Sequence, residues 1–227
     1  MSQSTLGKKL TVTTWGESHG KALGAVVDGV PAGLFLTEAD IQAYLNRRKP
    51  GQSRYTTARN EGDEVEILSG VFEGQTTGTP ISMIVRNKDQ RSRDYGNIAQ
   101  TYRPGHADFG FDSKYGFRDY RGGGRSSGRE TIGRVAAGAI AARILKELGI
   151  TLQAYTSSIG PVSCHSYHPE IIPENSFYMP DMVAAEKATK YLEKCMKEED
   201  SAGGVVECRI SGVPAVIGDP VFGKLDS

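Results

Sequence analysis

Between Lys9 and Trp15 (KLTVTTW) β-branched and polar residues alternate, which predicts a strand, and Leu23 to Val30 (LGAVVDGV) predicts a second that closes at Pro31-Ala32-Gly33. Gly16-Glu17-Ser18-His19-Gly20 is the turn between them. The period then lengthens: Ile41, Tyr44 and Leu45 recur at helical spacing behind Thr37, a good N-cap, and Lys49-Pro50-Gly51 stops the helix. Val65 to Phe72 and Pro80 to Val85 read as strands joined by EGQTTGT, which predicts a hairpin. Glu130 to Leu148 carries Ile132, Val135, Ala136, Ala139, Ile140, Leu145 and Leu148 on one face, with Gly149 as its stop. Its Gly133, Gly138 and alanines predict a thin-sided helix that packs closely on its neighbours. Asp181 to about Glu199 is an amphipathic surface helix with Ala184, Ala188, Tyr191, Leu192 and Cys195 on its apolar face, and Val205 to Ser211 (VVECRIS) is a further strand. From Arg86 to Gly128 no period is sustained, and a stretch of about 40 residues without one inside a domain is functional or disordered rather than idle. Strands, hairpins and a few helices in this order predict an α+β fold.

Composition narrows the class. No run of about 18 apolar residues exists, and MSQSTLGKKL lacks the apolar core of a secretory signal, so no membrane partner is expected and the cytoplasm is the expected compartment. Cys164, Cys195 and Cys208 never form a C-x-x-C pair; they are expected to be free, buried thiols, and no metal site is expected. With 27 basic and 27 acidic side chains the net charge is zero, which argues against nucleic acid held by bulk attraction. Glycine is the outlier at 28 residues, well above the usual share of about 7%.

The zero hides local imbalance. Residues 43 to 59 carry Arg47, Arg48, Lys49, Arg54 and Arg59 with no acid, a block of +5. Residues 60 to 85 are acidic, and residues 86 to 134 hold nine arginines and two lysines against six acids, again +5. A charge run alone is usually a solvated face. Arginine's excess over lysine favours multi-donor recognition of phosphate or carboxylate, and the glycines between Tyr102 and Arg134 let the backbone approach a ligand.

Candidate chemistry sits in two glycine-rich turns and two histidines. Gly122-Gly123-Gly124-Arg125-Ser126-Ser127-Gly128-Arg129 leads into the Glu130 helix, where unpaired backbone N–H groups, Ser126, Ser127 and Arg125 make an anion site suited to a phosphate. A plain turn and an RGG-type RNA-binding segment are the competing readings. GESHG satisfies G-x-S-x-G, the nucleophile elbow of serine hydrolases with Ser18 as nucleophile, but a strand rather than a helix is predicted after it. His19 can instead act as an acid that protonates a departing phosphate oxygen. His106, in Arg103-Pro104-Gly105-His106-Ala107-Asp108, stands between small residues in the arginine-rich stretch and suits binding or proton transfer. His165 and His168 have no such company and are read as surface residues.

The run Gly16 to Pro31 (GESHGKALGAVVDGVP) resembles, over its whole length, the N-terminal signature of the chorismate synthase family. A second family signature is similar to Gly124-Arg125-Ser126-Ser127-Gly128-Arg129-Glu130-Thr131, continuing through Val135, Gly138 and Ala139. RRKPGQSRYTTAR and RPGHAD match in type, order and approximate spacing, so the resemblance covers essentially the whole chain. It implies a single domain over residues 1–227, a β-α-β sandwich with antiparallel sheets flanking a helical core, and a homotetramer. It also implies a lyase of aromatic amino acid biosynthesis, the shikimate pathway. Such an enzyme removes phosphate from 5-enolpyruvylshikimate 3-phosphate by anti-1,4-elimination and requires reduced FMN without net redox change. By the same resemblance Arg125, Ser126 and Ser127 match flavin-binding positions, and Arg48 and Arg54 match positions for substrate phosphate or for NADP(H), the reductant in some members. His19 would be the acid and His106 the residue governing protonation of the reduced flavin.

Family members are longer, with a third arginine- and aspartate-containing signature beyond the position of residue 227, and GDPVFGKLDS is similar to the family's interior sequence. The expectation is a chain truncated at its C-terminal side, with an incomplete flavin site, weak FMN binding and little or no activity on its own. A serine hydrolase using Ser18 and a non-catalytic phosphate-ligand or RNA-binding module remain the alternatives.

Overall fold

Leu23, Ala25 and Val27 form one face of an antiparallel sheet in the computed structural model, which describes residues 4–51, 55, 62–88 and 99–217. Two units are distinguished, Met1–Ala141 and Ala142–Ser227. In the first, β1 (Thr5–Leu6), β2 (Thr11–Gly16), β3 (Ala22–Asp28), β4 (Val65–Ile67) and β7 (Ile81–Arg86) build a five-stranded sheet in the order β1-β2-β3-β7-β4. The register sets Leu23 opposite Val85, Ala25 opposite Met83 and Val27 opposite Ile81. Side chains two apart share a face, so these six apolar residues make a single buried layer.

Helix α1 (Glu38–Arg48) adds buried Ile41 and Leu45 and begins, as expected, at Thr37. The Thr37 backbone N–H donates to Asp40 Oδ2 at 2.8 Å, a capping box that satisfies an otherwise orphaned group. Helix α3 (Thr131–Glu147) reproduces the predicted helix almost to its ends. Its small residues act as expected: a Cβ on Gly133 would lie 2.9 Å from Gly24 O and from Thr14 Cγ2, so only glycine lets this helix sit so close to β2 and β3.

Three local expectations need correction. The strand predicted over Val65–Phe72 is two strands, β4 and β5 (Val71–Phe72); β4 pairs with β7, while β5 forms its own hairpin with β6 (Gln75–Thr76). Gly70, at φ +82° between them, turns the chain where a continuous strand would require extended backbone. The aperiodic stretch contains α2 (Asp108–Tyr115), ended by Gly116 in the left-handed region. The cysteines are free, but only Cys195 is buried; Cys164 is half-buried and Cys208 exposed.

In the second unit β8 (Thr151–Ile159), β9 (Val162–Ser163) and β10 (Gly204–Ser211) form an antiparallel sheet in the order β10-β8-β9. Helix α4 (Met182–Lys197) packs Ala184, Ala185 and Ala188 with Met179 against Ile159, Val162, Cys164 and Phe177. Asp181 caps α4, accepting from Ala184 N at 3.1 Å while its other oxygen accepts from His165 N at 2.9 Å and Ser166 N at 3.2 Å. Those N–H donors, chiefly that of His165, hold its carboxyl down to about 2. His165 and His168 are exposed, as read from the sequence. Antiparallel pairing throughout the described strands, with helices interspersed along the chain, is the α+β class predicted. Among the described residues no helix is long and apolar enough to cross a membrane.

Candidate active site

The turn between β2 and β3 carries Ser18 and His19, and both are buried. What buries them lies about a hundred positions away: Ser18 Oγ donates to Gly122 O at 3.2 Å, and a Cβ on Gly122 would lie 2.0 Å from His19 Cε1 and Nδ1. The two glycine-rich motifs are therefore in van der Waals contact, with Gly122 at φ +62° against the imidazole. Ser18 Oγ also lies 3.0 Å from His19 Nδ1. A hydroxyl has one proton; donated to the Gly122 carbonyl, it goes with the tautomer in which His19 Nδ1–H donates to Ser18 Oγ. A hydrolase would need the reverse bond, from serine to histidine, and an elbow followed by a helix; here β3 follows the turn.

Asn87, just beyond β7, pins the turn from the other side. Its Nδ2 donates to Glu17 O at 3.0 Å and to Gly20 O at 2.8 Å, and its Oδ1 accepts from Arg129 Nε at 3.2 Å and Nη2 at 3.0 Å. Arg129 Nη1 in turn lies 3.1 Å from Asp63 Oδ1, and Arg48 Nη1 lies 2.5 Å from Asp63 Oδ2. The Asp63 side chain has no solvent exposure, so it joins the helix end bearing Arg48 to the glycine loop through a shared buried carboxylate. Arg48 Nε also donates to Thr131 Oγ1, at the start of α3.

The loop itself runs through left-handed Gly122, Gly123 and Gly124 into 3₁₀ turns at Gly124–Ser126 and Gly128–Glu130. Arg125 turns back onto β2, with Nη1 donating to Gly16 O at 3.1 Å and Nη2 to Thr14 Oγ1 at 2.7 Å. Ser126 Oγ donates to Gly123 O, and Ser127 Oγ accepts from Arg129 N. Beside the loop lies a cavity of about 460 Å³ walled by Phe111, Tyr115, Phe117, Gly123, Gly124, Arg125 and Ser126, with Glu17, Asp108, Arg118 and Asp119 completing it. Arg103 grips Asp108 with Nε at 2.9 Å and Nη2 at 2.8 Å, and this pairing holds the Asp108 carboxyl well below the usual carboxylate range. Arg121 does the same to Asp119, with a smaller contribution from the nearby charge of His19.

The structure thus brings His19, Arg48, Arg125, Ser126 and Ser127 onto one connected set of contacts. His106 stands apart from it: it is exposed on the turn before α2, and its Nδ1 lies 3.2 Å from Pro104 O. Arg54 lies outside the described residues. Asp63, Asn87 and the aromatic residues of α2 were not anticipated from the sequence. Asp63 falls in the acidic stretch that offsets the first basic block, which was the available signal.

Comparison with known proteins bears on this geometry. The family model described as chorismate synthase matches residues 10–227. A chorismate synthase of Agathobacter rectalis is 65% identical over all of this chain and 62% of its own length. One from Lachnoclostridium phytofermentans is 63% identical with the same coverage. A crystal structure of chorismate synthase superposes with a TM-score of 0.75 at 32% identity, covering 93% of this chain and 60% of the other. The chain thus spans a little over three-fifths of the length of the curated relatives it matches.

Proposed function

The chain belongs to the chorismate synthase family, and on that premise we propose that it serves the anti-1,4-elimination of phosphate from 5-enolpyruvylshikimate 3-phosphate that yields chorismate. The observation that carries the reading is the seating of the His19 ring against Gly122, which brings the two glycine-rich turns together. Buried beside the negative charge of Asp119, with Nδ1 committed to Ser18, His19 holds a proton on Nε2 for the departing phosphate oxygen. Arg48, oriented by Asp63, and Arg54, assigned by family resemblance alone, serve the anionic ligands. His106, exposed on the turn before α2, is assigned by family resemblance alone the role of governing protonation of the reduced flavin.

The residues present fit a flavin. The cavity's volume lies within the usual ligand range of about 300 to 1,000 Å³, its aromatic walls suit a planar ring, and Arg118, Arg125 and Ser126 lie on its lining for the polar end; Ser127 is assigned by family resemblance alone. When bound, reduced FMN supplies the electron density that the breaking C–O bond requires. The family also supports NADPH as reductant, a homotetramer, cytoplasmic location and residues 1–227 as parts of one domain. The serine hydrolase reading loses its support because strand β3, not the helix that a nucleophile elbow requires, follows the turn.

The test is anaerobic phosphate release from 5-enolpyruvylshikimate 3-phosphate with reduced FMN. It is run on this chain and on a chimera that adds the remaining C-terminal part of a relative. His19→Ala is expected to lower turnover by about 100-fold or more, the usual worth of a positioned general acid, and His106→Ala to lower it as well. Turnover left intact by both substitutions would remove the assignment.

A further inference from the structure

The carbonyls of Glu17 and Gly20 bracket Ser18-His19, and a single amide side chain holds both: Asn87 Nδ2 donates to Glu17 O at 3.0 Å and to Gly20 O at 2.8 Å. Glu17 O also accepts from Gly20 N at 3.1 Å, which closes the turn on itself. Strand register brings Asn87 there. Ala22 lies opposite Arg86 at the end of the β3–β7 ladder, and Asn87, one residue further, donates its backbone N–H to Lys21 O at 3.2 Å. The sheet therefore ends in a half-buried amide fixed to the turn. That amide can face only one way. A guanidinium has donors only and a carbonyl accepts only, so Oδ1 must face Arg129 and Nδ2 the turn; a reversed amide would lose all four side-chain bonds. Arg129 is itself held by the buried Asp63 carboxylate, 3.1 Å from its Nη1. Aspartate would lack the donors, leucine would lack both ends, and serine has one proton for two carbonyls.

We propose that Asn87 is a positioning residue for His19, a role that rests on His19 being the acid of the elimination: Asn87 fixes the turn that seats the imidazole against Gly122, and Arg129 fixes Asn87. Asn87 bonds the backbone on either side of the histidine, so it acts through that residue and not on the substrate. Proton transfer requires the acid within about 2.6 to 3.2 Å of the oxygen it protonates, and a displacement of about 1 Å can cost 100-fold in rate. Gly122 and Ser18 limit the ring from the loop side, and Asn87 limits the backbone beneath it from the sheet side. Without Asn87 the turn keeps its internal Gly20–Glu17 bond but loses its attachment to the end of β7 through the side chain.

Two measurements test the role. In the purified chain His19 is one of four imidazoles, and its NMR signal is identified by its absence in His19→Gln and followed through a pH titration. Asn87→Asp keeps the acceptor for Arg129 but removes both donors to the turn, whereas Asn87→Leu removes both ends and adds no charge. Each should shift the His19 signal and leave those of His165 and His168 in place. Met83→Ala, which truncates the buried layer of β7, controls for lost stability and should leave the His19 titration unchanged. In the chimera that adds the C-terminal part of a relative, Asn87→Asp should lower kcat by about tenfold to 100-fold, with KM little changed. In a His19→Ala background the same substitution should cost less than about twofold more, because the group it positions is gone. A His19 titration unchanged in both Asn87 variants would overturn the proposal. So would a full tenfold loss in the His19→Ala background, because Asn87 would then act independently of the histidine. A parent chimera that releases no phosphate would count against the elimination alone, and the titration would still decide whether Asn87 seats His19.

Discussion

The β3–β7 face and the segment from residue 99 to residue 130 belong to the same unit but are held by different forces. On the sheet, Leu23, Ala25, Val27, Ile81, Met83 and Val85 are buried by register alone, and what matters is apolar volume. In the segment the apolar side chains face outward, Phe109 and Phe117 among them, and the structure depends on named polar partners: Arg103 with Asp108, Arg118 with Asp112, Arg121 with Asp119, Arg125 with the β2 backbone. A hydrophobic layer tolerates exchange among residues of like size, because dispersion and burial are not directional. A guanidinium–carboxylate network does not, because each partner left alone keeps its desolvation cost without its compensation.

Isosteric substitutions on the two sides expose the difference most strongly. Asp63→Asn keeps the shape but removes the buried charge that Arg48 and Arg129 share, and is expected to cost about 3 kcal/mol, a loss of roughly 10 °C in Tm for a chain of this size. Met83→Leu, at a residue as deeply buried, should cost less than about 1.5 kcal/mol. Thermal melts of both variants measure the contrast; equal losses would show that the polar network carries no special weight.

Gly122→Ala comes next, at the point where the two regions meet. The residue is at φ +62°, and the added methyl would overlap the His19 ring. Left-handed strain and overpacking together should cost roughly 3 kcal/mol, with part of the strain relieved by displacing the ring. Gly128→Ala, where nothing lies within 4 Å of the new carbon, should be nearly silent. The histidine NMR resonances read the local effect: a His19 signal unchanged in Gly122→Ala would mean that the loop does not seat the ring.

The same division explains what could be read from the sequence. Strands β3 and β7 and helices α1, α3 and α4 follow from apolar period, because each buries part of the face that its period defines, Ile41 and Leu45 in α1 and Ile132, Ala136, Ala139 and Ile140 in α3 among them; β2 buries only Thr14. Helix α2 has no such face: Asp108 is its buried residue, fixed by Arg103 and Arg118, so no apolar repeat announces it. Strand β8 was also missed, since Thr151, Leu152 and Ala154 are exposed and only Tyr155 is fully buried. The candidate site divides likewise. His19 and the Arg125-Ser126-Ser127 loop were legible as motifs, and as family signatures. Asp63 and Asn87 were not, because their roles exist only once β7, α1 and the loop are brought together. The two +5 blocks suggested arginines held ready for an anion; several of them are instead bound to the chain's own carboxylates, which places the loop before any ligand arrives.

Acidification should give the smallest effect and the cleanest separation of the two regions. Asp108 and Asp119 are held below the ordinary carboxylate value by Arg103 and Arg121. A depressed carboxyl binds fewer protons in the folded chain than in the unfolded one, so its stabilisation is complete above about pH 4 and shrinks as pH falls below that. The β3–β7 layer has no buried carboxylate to protonate. Hydrogen-exchange protection, corrected for the intrinsic effect of pH, should therefore fall first for the amides around Arg103, Phe111 and Arg121 as pH drops from 5 to about 3. The amides paired between β3 and β7 should hold until the unit unfolds as a whole. If both sets lost protection together, the arginine-rich segment would be a cooperative part of the sheet's core rather than a separately held layer on it.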